Sequence, residues 1–292
     1  MYFTKNTQAW LFLLLFSTLA NGYAKEPTSQ NPAQIQQFCK DLSQKLRTVK
    51  HQACLDLKLH ASIQHQSVEH RPLTYKEVIP KPNMLPPKGR ILFIGGIHGD
   101  EYAAISLTYI WLKTLTAPTT KIDYHWLFLP LANPDGLFQS PATRINANSV
   151  DLNRNFPSPD WDELALKSWQ SHTRENPRRF PGNSAASEPE TQWLVQLIKR
   201  FQPHAIISLH APYGLLDYDG PEHALPNKIG QLRHRALGTY PGSLGRYAGE
   251  YLNIPVLTLE LRSAGTMPSD SEIQIMLQDI ENWVATKIGS QD

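Results

Sequence analysis

The sequence predicts an α/β fold with a largely parallel central sheet. Apolar segments at residues 91–94, 124–130, 205–209 and 255–259 have the composition of buried strands. Segments in which apolar residues recur at helical spacing separate them along the chain. Because parallel neighbours must be joined by long crossover connections, strands that alternate with helices favour a parallel sheet with helices on its faces.

Helices are predicted wherever apolar residues recur every three to four positions. This spacing occurs over residues 32–48 and 102–115, and again over the closing segment 270–288. A further helix is predicted to begin within residues 187–191, because Pro189 suits the first turn of a helix.

Three other segments give local predictions. Alternating apolar and polar residues predict half-buried strands at 55–59 and 73–78. The segment 133–136, Asn-Pro-Asp-Gly, predicts a turn after the second buried strand. The long polar segment 158–187 is predicted to be a loop region that borders the functional site.

Residues 1–24 are predicted to be a signal peptide. Lys5 supplies a positive charge, residues 9–16 open an apolar core, and residues 22–24, Gly-Tyr-Ala, offer small side chains at a cleavage site. The alternative is a membrane anchor that is not cleaved. Once the leader is removed, residues 25–292 are predicted to form one exported domain.

Composition and cysteine content constrain the class of protein. The 292 residues are 41% hydrophobic and 18% charged, which is ordinary for a globular enzyme. A formal net charge of +2 gives no reason to expect nucleic acid as a partner. Cys39 and Cys54 are close in sequence, so in an oxidising compartment they are expected to form a disulfide. The alternative is a pair of buried free thiols.

Residues that can bind a metal follow three of the predicted buried strands. His98 and Glu101 come after the first, His210 ends the third and Glu260 ends the fourth. A single histidine after a strand is more often an ordinary loop residue, but strand ends at one edge of an open α/β sheet converge on one crevice. His98, Glu101 and His210 are therefore predicted to hold zinc. Glu260 is predicted to lie beside the metal as a base.

The segment 144–157 is a candidate anion site. It combines Arg144 and Arg154 with several amide side chains, and an arginine fork matches a carboxylate with two hydrogen bonds. Taken alone, this segment is more simply interpreted as a solvated loop. Next to a metal site, it favours a substrate that carries a carboxylate.

Four motifs occur along the chain in an order that is typical of a known family. They are His-Gly-Asp-Glu at 98–101, Val-Asp-Leu-Asn-Arg-Asn-Phe at 150–156, His210, and Glu-Leu-Arg at 260–262. They resemble the zinc carboxypeptidase (carboxypeptidase A-like) family. Within it the chain is most similar to amidases of murein peptides, through the segments 187–191, 209–212, 217–221 and 240–243.

The resemblance implies a mixed sheet between helices and one zinc ion per chain. His98, Glu101 and His210 would be the metal ligands. Glu260 would act first as the general base and then as the proton donor.

The resemblance also implies roles in substrate binding. Arg144 would polarise the scissile carbonyl and stabilise the oxyanion, and Asn153 with Arg154 would hold the substrate carboxylate. Tyr240 would correspond to a mobile tyrosine that closes on the substrate, although a proline follows it here where the family usually has a polar residue.

The expected reaction is zinc-dependent hydrolysis of the amide between γ-D-glutamate and meso-diaminopimelate in murein peptides. The amidases that the chain resembles are cytoplasmic and lack an export signal, whereas this chain is expected to act in the periplasm without stable membrane insertion. One alternative is a metallocarboxypeptidase that removes C-terminal residues from ordinary peptides, or D-amino acids from murein stems. Another is a zinc-free peptidoglycan-binding protein, which the presence of every candidate ligand and of the base disfavours.

Overall fold

A computed structural model describes residues 28–29, 32–81 and 86–288. The predicted signal peptide, residues 1–24, lies outside the described residues, so export stays a prediction. Within these described ranges, no helix is both long enough and apolar enough to cross a membrane.

An eight-stranded mixed sheet forms the centre of the protein, with the strands in the order β1-β2-β3-β5-β4-β6-β10-β7. Two short strands, β8 and β9, pair apart from it. The strands are β1 Thr28–Ser29, β2 His60–Gln66, β3 Pro72–Val78, β4 Arg90–Ile94, β5 His125–Leu131, β6 Ala205–His210, β7 Leu215–Asp219, β8 Lys228–Ile229, β9 Leu232–Arg233 and β10 Val256–Glu260.

The middle of the sheet is parallel and its edges are antiparallel. β5, β4, β6 and β10 form the parallel part, in the order of their pairing. β3 pairs antiparallel with β5 on one side, and β7 pairs antiparallel with β10 on the other. The predicted fold class, a mixed and largely parallel sheet flanked by helices, is confirmed.

Helices cover both faces of this sheet, which explains why its central strands are apolar throughout. The helices are α1 Pro32–Lys45, α2 His51–Asp56, α3 Tyr102–Leu115, α4 Pro134–Phe138, α5 Trp161–Thr173, α6 Pro189–Phe201 and α7 Asp270–Trp283. α1, α2, α3 and α7 enclose one hydrophobic core, and α6 encloses the other with the π-helical segment Gly245–Tyr251. Because neighbouring residues of a strand point to opposite faces, Phe93 lies in the first core and Leu92 in the second.

The helices predicted over 32–48, 102–115 and 270–288, and from Pro189 onwards, are confirmed as α1, α3, α7 and α6. The predicted strand at 55–59 is wrong. Helix α2 ends at Asp56, and Lys58 has a φ of +50° before β2 begins. The leucines alternate there because the chain turns after the helix, so that Leu57 and Leu59 both reach the core.

Two predicted irregular segments contain helices. The segment 158–187, expected to be a loop region, includes the 13-residue helix α5. Its few buried residues, Trp161 and Ala165, give a weak helical pattern. The predicted turn at 133–136 continues as α4, with the Asn133 side chain accepting a hydrogen bond from the Gly136 N–H at 2.8 Å.

Cys39 and Cys54 form a disulfide that joins α1 to α2, with both cysteines fully buried. Their Cα atoms lie 5.6 Å apart. The predicted disulfide is confirmed, and the alternative of two free thiols is wrong.

Candidate active site

Three side chains that can share one metal ion meet beyond the ends of the parallel strands. His98 Nδ1 lies 2.7 Å from Glu101 Oε1. His210 Nδ1 lies 3.1 Å from His98 Nδ1 and 3.2 Å from Glu101 Oε2. All three residues are buried, and their ligand atoms lie within 4.8 Å of one another. The structure thus brings together the residues that the sequence predicts as ligands.

The outer nitrogen of each histidine has a hydrogen-bonding partner. His98 Nε2 lies 3.2 Å from Asp151 Oδ1, and His210 Nε2 lies 2.9 Å from Ser208 Oγ. Because a carboxylate only accepts, Asp151 favours a proton on His98 Nε2, and with a metal ion in place of the contact with Glu101 the Nδ1 atom would offer its lone pair. The Ser208 hydroxyl can also accept, which allows the same tautomer for His210. Two Nδ1 lone pairs and a carboxylate that converge in this way fit a zinc ion.

A tight loop after β4 places His98 and Glu101 side by side. Gly99 packs directly on the backbone of Gly136, and a Cβ at position 99 would overlap with it. Glu101 immediately precedes α3, and its Oε2 accepts a hydrogen bond from the Ala211 backbone N–H at 3.2 Å. The loop that follows β4 is therefore held to the loop that follows β6.

Glu260 lies beside these ligands on the neighbouring strand. It is the direct partner of His210 in the parallel pairing of β10 with β6. Its side chain is buried, and its Oε2 has no hydrogen-bond partner among the described residues. Burial raises the pKa of Glu260, which makes its carboxylate a stronger base than an exposed one. Such an arrangement is typical of a general base.

Arg144 and Asp151 form an ion pair next to the ligands. Arg144 Nε donates to Asp151 Oδ2 at 2.9 Å, and Arg144 Nη1 lies 3.1 Å from His98 Nδ1. Burial acts to raise the pKa of Asp151, but the Arg144 guanidinium and His98 together outweigh it and hold that pKa well below its usual range. Burial likewise acts to raise the pKa of Glu101, and the two histidines hold it far below its ordinary value. Both carboxyl groups are therefore ionised at neutral pH.

Asn153 and Arg154 lie on a short 3₁₀ helix that borders the same cavity. Asn153 Oδ1 accepts from the Leu244 N–H at 2.8 Å, and Arg154 Nη1 donates to the Asn153 carbonyl at 2.6 Å. The Arg154 guanidinium carbon lies 4.2 Å from the centre of the Tyr240 ring. Burial lowers the pKa of Arg154 to about 10, so the guanidinium remains charged at neutral pH. No carboxylate pairs with it in the described parts of the chain.

One cavity contains these groups. Glu101 lies behind its wall in contact with His98, and the other predicted site residues line it: His98, Arg144, Asn153, Arg154, His210, Tyr240 and Glu260. The lining also includes polar and charged residues to which the sequence assigns no role, among them Arg179, Ser208, Asp217 and Asp219.

Some of these residues could have been identified from the sequence. Ser208 is a polar residue within an apolar strand, two positions before His210, and strand alternation places both on one face. Arg179 belongs to the 3₁₀ turn Pro177–Arg179, so the segment 158–187 does border the cavity as expected. Asp217 and Asp219 lie on the edge strand β7, which is not among the strands predicted from the sequence.

The fold and this site define a metal-dependent peptidase. The sequence model of the zinc carboxypeptidase family matches residues 58–228, more than half of the chain. The chain therefore belongs to the zinc carboxypeptidase family and is an enzyme of that metallopeptidase class.

Known relatives agree with this assignment. Murein peptide amidase A of Escherichia coli (strain K12) is 32% identical over 200 residues, which are 66% of this chain and 79% of the relative. The crystal structure of the murein-tripeptide amidase of Escherichia coli O157 superimposes with a TM-score of 0.52 at 29% identity and covers 75% of this chain and 88% of that chain. Bovine thrombin-activatable fibrinolysis inhibitor shares the fold, with a TM-score of 0.58 at 18% identity over 92% of this chain and 97% of its own. The resemblance to murein amidases is confirmed.

Proposed function

We propose that this protein is a zinc-dependent amidase that cleaves the bond between γ-D-glutamate and meso-diaminopimelate in murein peptides. The observation that carries this proposal is one cavity in which a His₂Glu donor set lies beside the buried carboxylate of Glu260 and the guanidinium of Arg154, which no described carboxylate pairs. The relatives named as murein amidases support the choice of substrate.

His98, Glu101 and His210 would hold the zinc ion, while Asp151 and Ser208 fix the orientation of the two imidazoles. When bound, zinc supplies Lewis-acid chemistry, which polarises the scissile carbonyl and makes a water molecule more acidic.

The remaining chemistry falls to Glu260 and Arg144. Glu260 accepts a proton from the attacking water and later passes it to the departing amine. Its Oε2, which has no partner among the described side chains and backbone groups, can take up that proton. Arg144 lines the cavity near the ligands, so its guanidinium can stabilise the negative charge that develops on the carbonyl oxygen.

Asn153 and Arg154 would bind the free carboxylate of the residue on the amine side of the scissile bond. Arg154 has nitrogens to spare because its side chain makes one hydrogen bond to a described residue, the Asn153 carbonyl. Tyr240 packs on the guanidinium and would limit its orientation. A substrate without that carboxylate would leave the buried positive charge of Arg154 without an anionic partner.

The place of action is proposed to be the periplasm, on the basis of the predicted signal peptide at residues 1–24. Cell fractionation of the full chain and of a chain without these residues tests this. Only the full chain should reach the periplasm, with its leader removed. Recovery of the uncleaved full chain in the cytoplasm or the membrane would contradict the proposal.

The reaction is tested by mass spectrometry of purified muropeptides incubated with zinc-loaded protein lacking residues 1–24. Release of a fragment that begins at diaminopimelate is the expected result. Loss of only a terminal D-alanine, or trimming of ordinary peptides alone, would instead make the enzyme a carboxypeptidase. Metal analysis of protein purified without chelator should find one zinc ion per chain, and its absence would favour a binding protein.

A further inference from the structure

A second arginine without a carboxylate partner lies in the catalytic cavity. Arg179 ends the 3₁₀ turn Pro177–Arg179 and lines the cavity together with Arg154 and Tyr213. Its Nη2 atom donates a hydrogen bond to the Tyr213 hydroxyl at 3.4 Å, and no carboxylate pairs with it in the described parts of the chain. Neither the proposed hydrolysis nor the binding of the amine-side carboxylate uses this cation.

The turn that carries Arg179 is fixed to the segments that surround the candidate zinc site. The neighbouring Arg178 donates to Asp100 Oδ2 at 2.6 Å, and Asp100 belongs to the loop after β4 that holds two of the metal ligands. On the other side, the Phe180 carbonyl accepts a hydrogen bond from the Asp151 N–H at 2.8 Å. Because both neighbours are attached in this way, the backbone of Arg179 keeps a defined position relative to the zinc site.

The cationic side of the cavity carries more positive charge than one substrate carboxylate can neutralise. Arg144 pairs with Asp151, whereas neither Arg154 nor Arg179 has a carboxylate partner among the described residues. Burial is the main cause of the lowered pKa of Arg154, and the positive charges of Arg144 and Arg179 add to it. The two unpaired guanidiniums therefore lie within range of each other's charge. A ligand that leaves neither of them unpaired must carry two anionic groups.

The two unpaired arginines lie at different depths of the cavity. Arg154 is 8% exposed, whereas Arg179 is half-buried and contacts Tyr213, which is 56% exposed. Arg154 therefore lies at the closed end and Arg179 at the mouth. In the proposed reaction the amine side of the substrate ends at the carboxylate that Arg154 binds, while the acyl side continues into the rest of the stem peptide and must leave through the mouth. Arg179 thus lies on the acyl side of the scissile bond.

We propose that Arg179 binds the free α-carboxylate of the γ-linked D-glutamate and so makes the enzyme selective for a γ-glutamyl residue on the acyl side. This assignment rests on the proposed function for the identity of that residue. A γ-linked glutamate keeps its α-carboxylate free, whereas a residue in an ordinary peptide uses its α-carboxyl group in the peptide bond. An anionic group on the acyl side therefore distinguishes this murein bond from a bond that follows an uncharged residue.

The γ-linkage determines where that carboxylate lies. Four single bonds join the carbon of the scissile carbonyl to the carbon of the free carboxylate, which is about 5 Å when extended. The carboxylate is therefore held close to the reacting carbon, where a side chain of the cavity wall can reach it. An arginine fork matches a carboxylate with two hydrogen bonds, and the contact with the Tyr213 hydroxyl limits the orientation of this fork. A neutral amide at the same place would form weaker hydrogen bonds and leave the cation unpaired.

The test compares two substrates of the zinc-loaded full chain. One is the γ-D-glutamyl amide of meso-diaminopimelate, and the other is the same compound with the α-carboxylate of its glutamate converted to an amide. The expected kcat/KM is about 10-fold lower for the second substrate, because one charge-assisted interaction at a half-buried position is lost. Equal values for the two, or faster cleavage of the amide, would overturn the role of Arg179 while leaving the amidase function in place.

The variant Arg179→Gln tests whether this residue causes the preference. It should bring the ratio between the two substrates close to 1, mainly by slowing the substrate that has the carboxylate. Arg179→Lys keeps the charge without the fork and should give a ratio between those of the wild type and of Arg179→Gln. A purely structural defect would slow both substrates alike and leave the ratio unchanged, which would also overturn the assignment. Arg174→Gln, at an exposed position directly after α5, is the matched control and should keep the full ratio.

A second substrate pair separates this inference from the proposed function. Ordinary peptides with glutamate or glutamine before the C-terminal residue differ in a side-chain carboxylate that is also four bonds from the scissile carbonyl carbon. If the γ-glutamyl amides are not cut but the glutamate peptide is trimmed faster than the glutamine peptide, and Arg179→Gln abolishes the difference, the proposed function fails and the carboxylate site at Arg179 stands. If in that case both peptides are trimmed equally fast, or if no substrate of either pair is cut, the carboxylate site is overturned.

Discussion

His210 and Glu260 are direct partners in the parallel pairing of β6 with β10. Neighbouring strands lie about 4.8 Å apart, so the sheet itself sets the separation between the proposed metal ligand and the proposed base. Groups carried on paired strands are held more precisely than groups on loops. One of the two residues can therefore be changed with little movement of the other, and this makes their roles separable by mutation.

Glu260→Gln should lower turnover by orders of magnitude while zinc remains bound. The substitution keeps the shape of the side chain but removes the proton acceptor, and general bases of this kind contribute about 10²- to 10⁴-fold to the rate. The measurement is kcat on the murein peptide together with zinc content per chain. Glu163→Gln, at an exposed position of α5, is the control and should behave as the wild type. A near-wild-type kcat in Glu260→Gln would rule out the proposed base.

Ser208→Ala should weaken zinc binding without removing a ligand. The loss of the 2.9 Å contact between Ser208 Oγ and His210 Nε2 leaves the imidazole less well oriented, and such losses typically lower metal affinity about 10- to 100-fold. Competition with a chelator measures the affinity, and activity should return at saturating zinc. His210→Ala should lose both zinc and activity even then.

The matched control for Ser208→Ala is Ser106→Ala. Ser106 is also buried and its hydroxyl accepts a hydrogen bond from Thr48 at 2.6 Å, but it does not contact the candidate metal ligands. Its zinc affinity should be unchanged. Equal weakening in both variants would show that the effect of Ser208 is general destabilisation.

The central strands and the residues at their ends were predictable because burial on both faces leaves a continuous apolar segment. Such a segment makes a following His98 or a terminal His210 conspicuous. Neither Asp217 nor Asp219 had such a signal, since β7 is an edge strand with acidic residues in alternation. The segment 217–221 contributes to the resemblance to murein amidases, but that resemblance gives these two side chains no position, and it is the pairing with β10 that places them at the cavity.

Helix α5 escaped prediction for a related reason. Its buried residues are Trp161 and Ala165, so the apolar stripe that identifies an amphipathic helix is short. The prediction of a strand at 55–59 was wrong for the opposite reason, because a pattern was present but had another cause. The alternating leucines there arise from a helix end and a turn. In both segments tertiary packing, rather than local periodicity, determined the backbone.

Arg154→Gln should raise KM for substrates with a free carboxylate by about 10- to 100-fold, since a charge-assisted hydrogen bond is lost. The informative comparison is the same peptide with that carboxylate converted to an amide. On the amide the variant and the wild type should have similar KM values. If Arg154→Gln raises the KM of both substrates equally, Arg154 supports the structure and does not bind the carboxylate.

Replacing both Cys39 and Cys54 by serine should lower the free energy of unfolding by about 3 kcal/mol, because a loop of 15 residues is no longer closed in the unfolded chain. The kcat should not change, since neither cysteine lines the catalytic cavity. Urea unfolding of the oxidised wild type and the double variant measures the difference. Equal stabilities would show that the bridge adds nothing to the packing of α1 against α2.

Glu190 should make the protein less stable as the pH rises towards neutrality. Its carboxyl group is fully buried, accepting hydrogen bonds from the Val68 N–H and the Asn146 side chain, and burial raises its pKa from 4.5 to about 7. The folded state therefore holds this proton more tightly than the unfolded state. Stability is lost as the pH rises from the unfolded value to the folded value, by about 3 kcal/mol in total.

Glu190→Gln carries no titrating proton, so it should remove this part of the pH dependence. Urea unfolding of both proteins at pH 5, 6, 7 and 8 measures it, and the stability of the wild type relative to the variant should fall from pH 5 to pH 7 and level off by pH 8. If the amide side chain of the variant forms weaker hydrogen bonds than the carboxyl group does, the resulting loss of stability is the same at every pH. It therefore does not alter the slope of stability against pH. Parallel pH profiles for the two proteins would mean that Glu190 is already ionised in the folded protein at pH 5, held by its hydrogen bonds to Val68 and Asn146.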